Sequence, residues 1–202
     1  MIYADLNGVQ IPAFPDAPAL ACPICKQLVR AKCGQIVTWH WAHISTVDCD
    51  TWAEPDSEWH RSWQNLVPVE RREVTMGNHR ADIVTFNGSV VEVQHSTLSP
   101  EEIREREDFY GMDMAWIFDA REAFAEERID LRRKAGRPEF YRNFRWKHPR
   151  KSIGACRRPV FLDLGDGQIL RIERIYTRAP CGGWGRLVAK EALVRAFNEV
   201  SR

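Results

Sequence analysis

The sequence predicts an α/β fold of the α+β kind, a mixed sheet flanked by helices and preceded by a small metal-binding block. Three observations lead there. Helix-patterned and strand-patterned segments follow one another in the order helix, three strands, helix, strand, helix. The three strand-like runs are joined by Gly77-Asn78 and Asn87-Gly88, dipeptides suited to tight hairpins. Four of the six cysteines crowd between Cys22 and Cys49 among few aliphatic residues, and a block that short needs a metal staple in place of a core.

Residues 1–20 carry Pro12, Pro15 and Pro18, with Pro23 just beyond, and their weak periodicity reads as an extended lead-in. In "PDSEWHRSWQNLVP", Asp56 or Ser57 can cap a helix whose Trp59, Trp63, Leu66 and Val67 recur at helical spacing, and Pro68 ends it. "VERREVTM", "RADIVTF" and "SVVEVQH" form a three-stranded meander. Ser99 then caps a helix with Pro100 at its first position, acids in its first turn and Gly111 as its stop. "MAWIFD" is a short apolar strand, and "REAFAEERIDLRRKA" is expected to be one helix ending before Gly136. Further on, "PVFLDL" and "ILRIERIY" can pair across Gly165-Asp166-Gly167, and "LVAKEALVRAFNEV" suits a final helix. The expected organisation is a lead-in with a zinc-binding subdomain over 1–50, a core over 51–135 and a basic, aromatic extension over 136–202.

Composition narrows the function classes. Of 202 residues, 44% are hydrophobic and 28% charged, which excludes a disordered chain. The N-terminal stretch lacks the layout of a signal peptide, and no run approaches the ~18 apolar residues that cross a bilayer, so the expectation is a cytoplasmic protein with no membrane partner. With 29 basic and 28 acidic residues the net charge is only +1, and a nucleic acid would have to be met by a local patch. Without a secretory leader, thiol or metal chemistry is expected of the cysteines rather than a disulfide framework.

Cys22-Pro23-Ile24-Cys25 is the spacing that turns two thiolates toward one zinc ion, which prefers four soft or borderline ligands in a tetrahedron. Fourteen residues later, "HWAH" offers His40 and His43, whose offset of three places both imidazoles on one side of a helical turn. The expected ligands are Cys22, Cys25, His40 and His43, with Cys33 and Cys49 as replacements for a histidine. Four protein ligands close a site to substrate, so this zinc is assigned to structure.

A second set of candidates lies on the hairpin. Glu92 and Gln94, two apart in a strand, face the same way. Magnesium takes one or two carboxylates plus waters and phosphate, and Asp82 on the neighbouring strand is the acid that would complete such a site. Register decides whether it can. A two-residue Asn87-Gly88 turn pairs Asp82 with Val93 and turns it away, whereas a three-residue loop, Phe86-Asn87-Gly88 with Gly88 left-handed, pairs Thr85 with Ser89 and Asp82 with Glu92. The site therefore demands an odd register or a local divergence of the strands.

From Gly136 to Pro159 eight lysines and arginines face one acid, with Phe140, Tyr141, Phe144 and Trp146 interleaved. Basic residues neutralise phosphates and aromatics stack on bases, so Arg142, Arg145, Lys147, Arg150 and Lys151, joined by Arg80, are the candidate nucleic-acid contacts. The alternative is that the aromatics turn inward to a core.

Taken together and in order, "CPIC", "HWAH", "SEWHRSW", "RADIV", "VEVQHS" and "REREDFY" followed by "AWIFD" resemble the competence protein CoiA-like family, whose core is similar to the PD-(D/E)XK nucleases. The resemblance spans roughly residues 22–119. It implies a restriction-endonuclease-like sheet and a divalent-metal-dependent nuclease acting on DNA, with Mg2+ or Mn2+ on Asp82 and Glu92 and with Glu58 as a further acid near the metal. His60 is a candidate catalytic residue beside them. Gln94 stands where the nuclease pattern has lysine, and an amide hydrogen-bonds without carrying charge. Arg80, His60 and His95 are the cations near in sequence that can compensate. The competing expectation is a weak or inactive nucleic-acid-binding protein that retains the nuclease fold.

Overall fold

The structure is a computed structural model that describes residues 1–36, 39–45, 49–50, 52, 57–176 and 181–199; the side chain of Lys151 also lies outside the described set. Two sheets organise it. The smaller holds β1 (Tyr3–Leu6), β2 (Val9–Pro12), β3 (Leu20–Ala21), β4 (Leu28–Lys32) and β5 (His40–His43), antiparallel in the spatial order β2-β1-β3-β4-β5. Residues 1–20 are therefore not a lead-in. Asn7 and Gly8, with φ of 54° and 85°, make a tight hairpin that closes β1 onto β2. Ala4, Leu20, Cys22, Val29 and Trp41 form the core of this sheet, and the Trp41 indole donates to the Ile11 carbonyl at 2.9 Å.

The larger sheet follows α1 (Glu58–Gln64) and a single 3-10 turn at Val69–Arg71. Its first strands are the expected meander, β6 (Arg72–Met76), β7 (His79–Val84) and β8 (Val90–Gln94). Then come α2 (Pro100–Tyr110), β9 (Met114–Asp119), α3 (Arg121–Ala125), β10 (Ile129–Arg133), β11 (Tyr141–Trp146), β12 (Val160–Gly165), β13 (Gln168–Tyr176), β14 (Gly182–Ala189) and α4 (Lys190–Asn198). The nine strands lie in the order β10-β11-β14-β13-β12-β9-β8-β7-β6. β8, β9 and β12 run parallel and every other pairing is antiparallel, so the sheet is mixed.

Local chemistry explains the helix starts. The Ser57 hydroxyl accepts the His60 N–H, and Ser99 and Glu102 exchange side-chain and backbone bonds in a full capping box. The helix expected over residues 121–135 is only one short turn. Beyond Ala125 the chain enters β10, because Ile129 and Leu131 alternate into the core opposite Trp146 and Phe144 of β11, a non-local pairing that overrides helical propensity.

Helices cover part of each face of the large sheet. α1 and α4 bury Trp59, Trp63, Leu193 and Phe197 against Ile83, Val91, Val93 and Ile117. On the other face Ile103 of α2 and Ala123 of α3 meet Trp116, Phe118, Leu162, Phe144 and Trp146. Two buried acids tie the layers together. Asp163 accepts the indole N–H groups of both Trp59 and Trp63 at 2.9 Å, and Glu107 accepts from the Trp116 indole and from the backbone of Arg157 and Arg158. Among the described residues no helix is long and apolar enough to cross a membrane.

Candidate metal centres

The hairpin adopts the three-residue loop. Thr85 N–H donates to Ser89 O at 2.8 Å, Gly88 N–H donates to Thr85 O at 3.0 Å, and Gly88 has φ of 87°. Pairing of Ile83 with Val91 and Val84 with Val90 continues to set Asp82 opposite Glu92. The ladder parts at that point. Val93 N–H donates to the Asp82 carboxylate at 2.8 Å, so a side chain replaces a backbone acceptor and turns inward between the strands. Across β7, Glu73 of β6 is buried with φ of 47°, a left-handed conformation for a non-glycine residue, and the ladder skips it.

Each acid meets a nitrogen-bearing side chain. Asp82 Oδ1 lies 3.0 Å from His60 Nε2, which the N-terminal turn of α1 brings over the sheet. Glu92 Oε2 lies 2.9 Å from the Arg106 guanidinium of α2, and both side chains are almost fully buried. Arg106 also donates to the Trp52 carbonyl at 3.0 Å and lies 5.4 Å from the Trp52 ring centroid. Trp52 stacks on His79, whose Nδ1 lies 2.9 Å from Asp50 Oδ1.

The two carboxyls titrate apart. Burial opposes ionisation of Asp82, but the charge and hydrogen bond of His60 and the Val93 N–H outweigh it and hold the acid below its ordinary range. Burial and the negative charge of Asp82 push Glu92 up to about 8 against the pull of Arg106. Two carboxylates from neighbouring strands suit a magnesium or manganese ion. The raised acid fits as well, since a divalent cation relieves the repulsion that raises it.

The remaining candidates separate. Glu58 is the exposed first residue of α1, and its charge acts on Arg121, which holds Asp119 at 2.9 Å, so it is not brought to the carboxylate pair. Gln94 is buried on β8 and donates to the carbonyl and hydroxyl of Ser96 at 3.2 Å. His95, half exposed, lies 3.0 Å from Asp119. Arg80 points to Glu73 at 3.7 Å. Sequence reasoning passed over Arg106, whose signal is only an arginine seven residues beyond the Ser99 cap, on the α2 face that also buries Ile103.

In the basic segment, Phe144 and Trp146 turn into the core, as the alternative reading allowed. Arg142 folds back onto the carbonyls of Glu139 and Tyr141. Arg150 donates to the carbonyls of Ser96 and Asp119. Arg145 and Lys147 are exposed.

At the N-terminal sheet, Cys22, Cys25, His43 and Cys49 bring four ligand atoms within 4.8 Å of one another. Cys22 Sγ and Cys49 Sγ are 3.7 Å apart, and Cys25 Sγ and His43 Nε2 are 3.2 Å apart. A tetrahedron with zinc–sulfur bonds of ~2.3 Å has edges of about 3.8 Å, so spacing and donor softness both fit zinc. Cys49 takes the place expected of His40. "HWAH" is strand β5 rather than a helical turn, and residues three apart in a strand point to opposite faces, which separates His40 from His43. Burial and the neighbouring sulfurs of Cys22 and Cys25 push Cys49 up to about 12. Burial works to raise Cys25 too, but the Gln27 backbone and the two other sulfurs hold it below its usual range. Burial and the N-terminal charge lower His43, favouring the neutral imidazole that binds metal.

Comparison with curated proteins and with solved structures gave no match. Residues 10–51, which carry all four ligands of the cysteine and histidine cluster, match the family described as Competence protein CoiA, N-terminal domain, and this supports a kinship with the CoiA family.

Proposed function

We propose that the protein is a divalent-metal-dependent nuclease that hydrolyses phosphodiester bonds in DNA and carries a structural zinc at Cys22, Cys25, His43 and Cys49. The observation that carries this reading is the register of β7 and β8, which sets Asp82 opposite Glu92 through an odd, three-residue loop. The helix, meander, helix and strand around that pair follow the order expected from the sequence patterning, which is compatible with this reading. Asp82 and Glu92 would hold Mg2+ or Mn2+. The ion, when bound, supplies Lewis acidity toward a phosphate oxygen and makes a water acidic enough to attack.

The chain's own groups do the rest. Val93 N–H fixes one Asp82 oxygen and leaves the other on His60, whose Nε2 can hold a proton beside the pair. Arg106 supplies the positive charge that Gln94 cannot, balancing Glu92 from the α2 side. The same pair favours a second reading, a nucleic-acid-binding protein without cleavage, because a Glu92 occupied by Arg106 must be released before it can hold a metal.

The test is cleavage of single-stranded, duplex and branched DNA, and of RNA, with magnesium or manganese. Asp82→Asn and Glu92→Gln should each lower cleavage by more than the ~10–100-fold typical of an outer-shell partner. Cleavage that survives both substitutions removes this site, and binding without cleavage by the wild type selects the second reading.

A further inference from the structure

Among the described residues, no helix covers the part of the large sheet that lies beyond α4 on the face α4 packs against. Directly paired residues share a face, and the pairings Tyr141 with Arg186, Asn143 with Trp184, Arg145 with Gly182 and Arg174 with Trp184 put these residues together on that side. The alternate residues Phe144 and Trp146 are buried on the other side. Leu193 of α4 lies near Val188 of β14, and beyond it the rings of Tyr141 and Trp184 lie 5.7 Å apart, partly open to solvent.

Cations surround these rings. Lys134 Nζ lies 4.9 Å from the Trp184 centroid, Arg145 and Arg174 are exposed beside it, and Arg174 lies 5.9 Å from the half-exposed ring of Tyr176. The acids on this face are Asp130, held by Arg132 at 2.8 Å, and Glu173, held by Arg186 at 2.6 Å, so each is already neutralised. Glycine lets β14 lie close between its neighbours. A Cβ on Gly182 would fall 2.7 Å from the Phe144 carbonyl oxygen, and one on Gly183 would run into that of Arg174, so β14 packs tightly between its neighbours with Trp184 as its large outward ring.

We propose that Tyr141 and Trp184, ringed by Lys134, Arg145 and Arg174, form a stacking platform for single-stranded DNA. Flat aromatic rings bind unpaired bases by their faces while the cations track the phosphates, and duplex bases, stacked on one another, offer no such face. The single-stranded form follows from the platform itself; the choice of DNA rests on the nuclease reading above.

The test uses the full chain with zinc but without magnesium or manganese, and fluorescence anisotropy of labelled oligothymidine. Trp184→Ala should weaken binding by about 5- to 100-fold, and Trp184→Phe should restore most of it. Arg145→Ala should reduce the slope of log affinity against log salt by about 0.7. The platform is overturned if Trp184→Ala binds within twofold of wild type while its melting temperature is unchanged, or if duplex of the same length binds as tightly. Polyglutamate bound with the same Trp184 dependence would overturn it in favour of an acidic protein partner, and oligouridine bound more than tenfold tighter than oligothymidine would overturn the choice of DNA. The two readings separate cleanly. Trp184-dependent binding by a wild type that never cleaves sinks the nuclease and leaves the platform, whereas Asp82-dependent cleavage with Trp184-independent binding does the reverse.

Discussion

At the N-terminal cluster, three sulfurs and an imidazole nitrogen converge within 4.8 Å, and the sheet around them has a small core of which Cys22 is itself a part. At β7 and β8 the acids are hard oxygen donors on a sheet with two extensive cores, Asp82 resting against His60 and Glu92 against the Arg106 guanidinium. On the proposed reading, the contrast separates two uses of a metal. The small sheet has too small a core to stand alone, and ligand bonds to a zinc at the cluster would supply the stability it lacks. The large sheet has two extensive apolar cores to support it and can hold a mutually repelling pair of acids.

Breaking the staple should have the largest effect. Structural zinc contributes on the order of 10 kcal/mol in small domains, so Cys22→Ser or a strong chelator should unfold the five-stranded sheet while the far-ultraviolet signal of the larger sheet persists. His40→Ala should leave the bound zinc unchanged by metal analysis, whereas Cys49→Ser should lose it. A uniform melt of the whole chain on chelation would erase the distinction between the two regions.

A smaller effect tests whether the large sheet supports itself. Asp163→Ala leaves two buried indole N–H groups without their acceptor and should cost about 2–4 kcal/mol, read from the urea midpoint. Zinc content should not change. Loss of zinc in this variant would show that the two regions fold as one unit.

The smallest effect concerns pH. Because the folded-state pKa of Glu92 is raised to about 8, the native chain keeps a proton that the unfolded chain has released, and the stability from this group falls as pH rises from the ordinary carboxylate range to about 8. Glu92→Gln should flatten that dependence in urea titrations at successive pH values. Magnesium should oppose the fall in the wild type, since the ion competes with the proton for the same oxygens. A wild-type slope that matches the variant's would mean that Arg106 holds Glu92 ionised throughout.

Much of the geometry of the acid pair could be read from residues near one another in sequence. The Asn87-Gly88 dipeptide and the alternation of Val91, Glu92 and Val93 define both possible registers, and the left-handed Gly88 selects the one that joins the acids. Ser99 and Glu102 announce their capping box in the same local way. What escaped was non-local. Nothing in "HWAH" says that β4 will recruit it as a strand, so the offset that favours His40 in a helix works against it here. Arg106 reads as one more charge on a charged helix until α2 lies across β8. "CGGWG" has no periodicity of its own, and its meaning comes from the two strands that pack against it.

The ties between the sheets have a further consequence. β6 is an outermost strand of the nine, and an open strand edge is a template for another chain's backbone. Here Ile2 N–H donates to Glu73 at 3.2 Å and Gln10 reaches the Arg72 carbonyl at 3.4 Å, while the left-handed Glu73 interrupts the strand's flat run. The small sheet thus doubles as a guard against edge-to-edge aggregation, and if the cysteine and histidine cluster holds zinc as proposed, its ligands would protect the solubility of a strand more than twenty residues away in sequence.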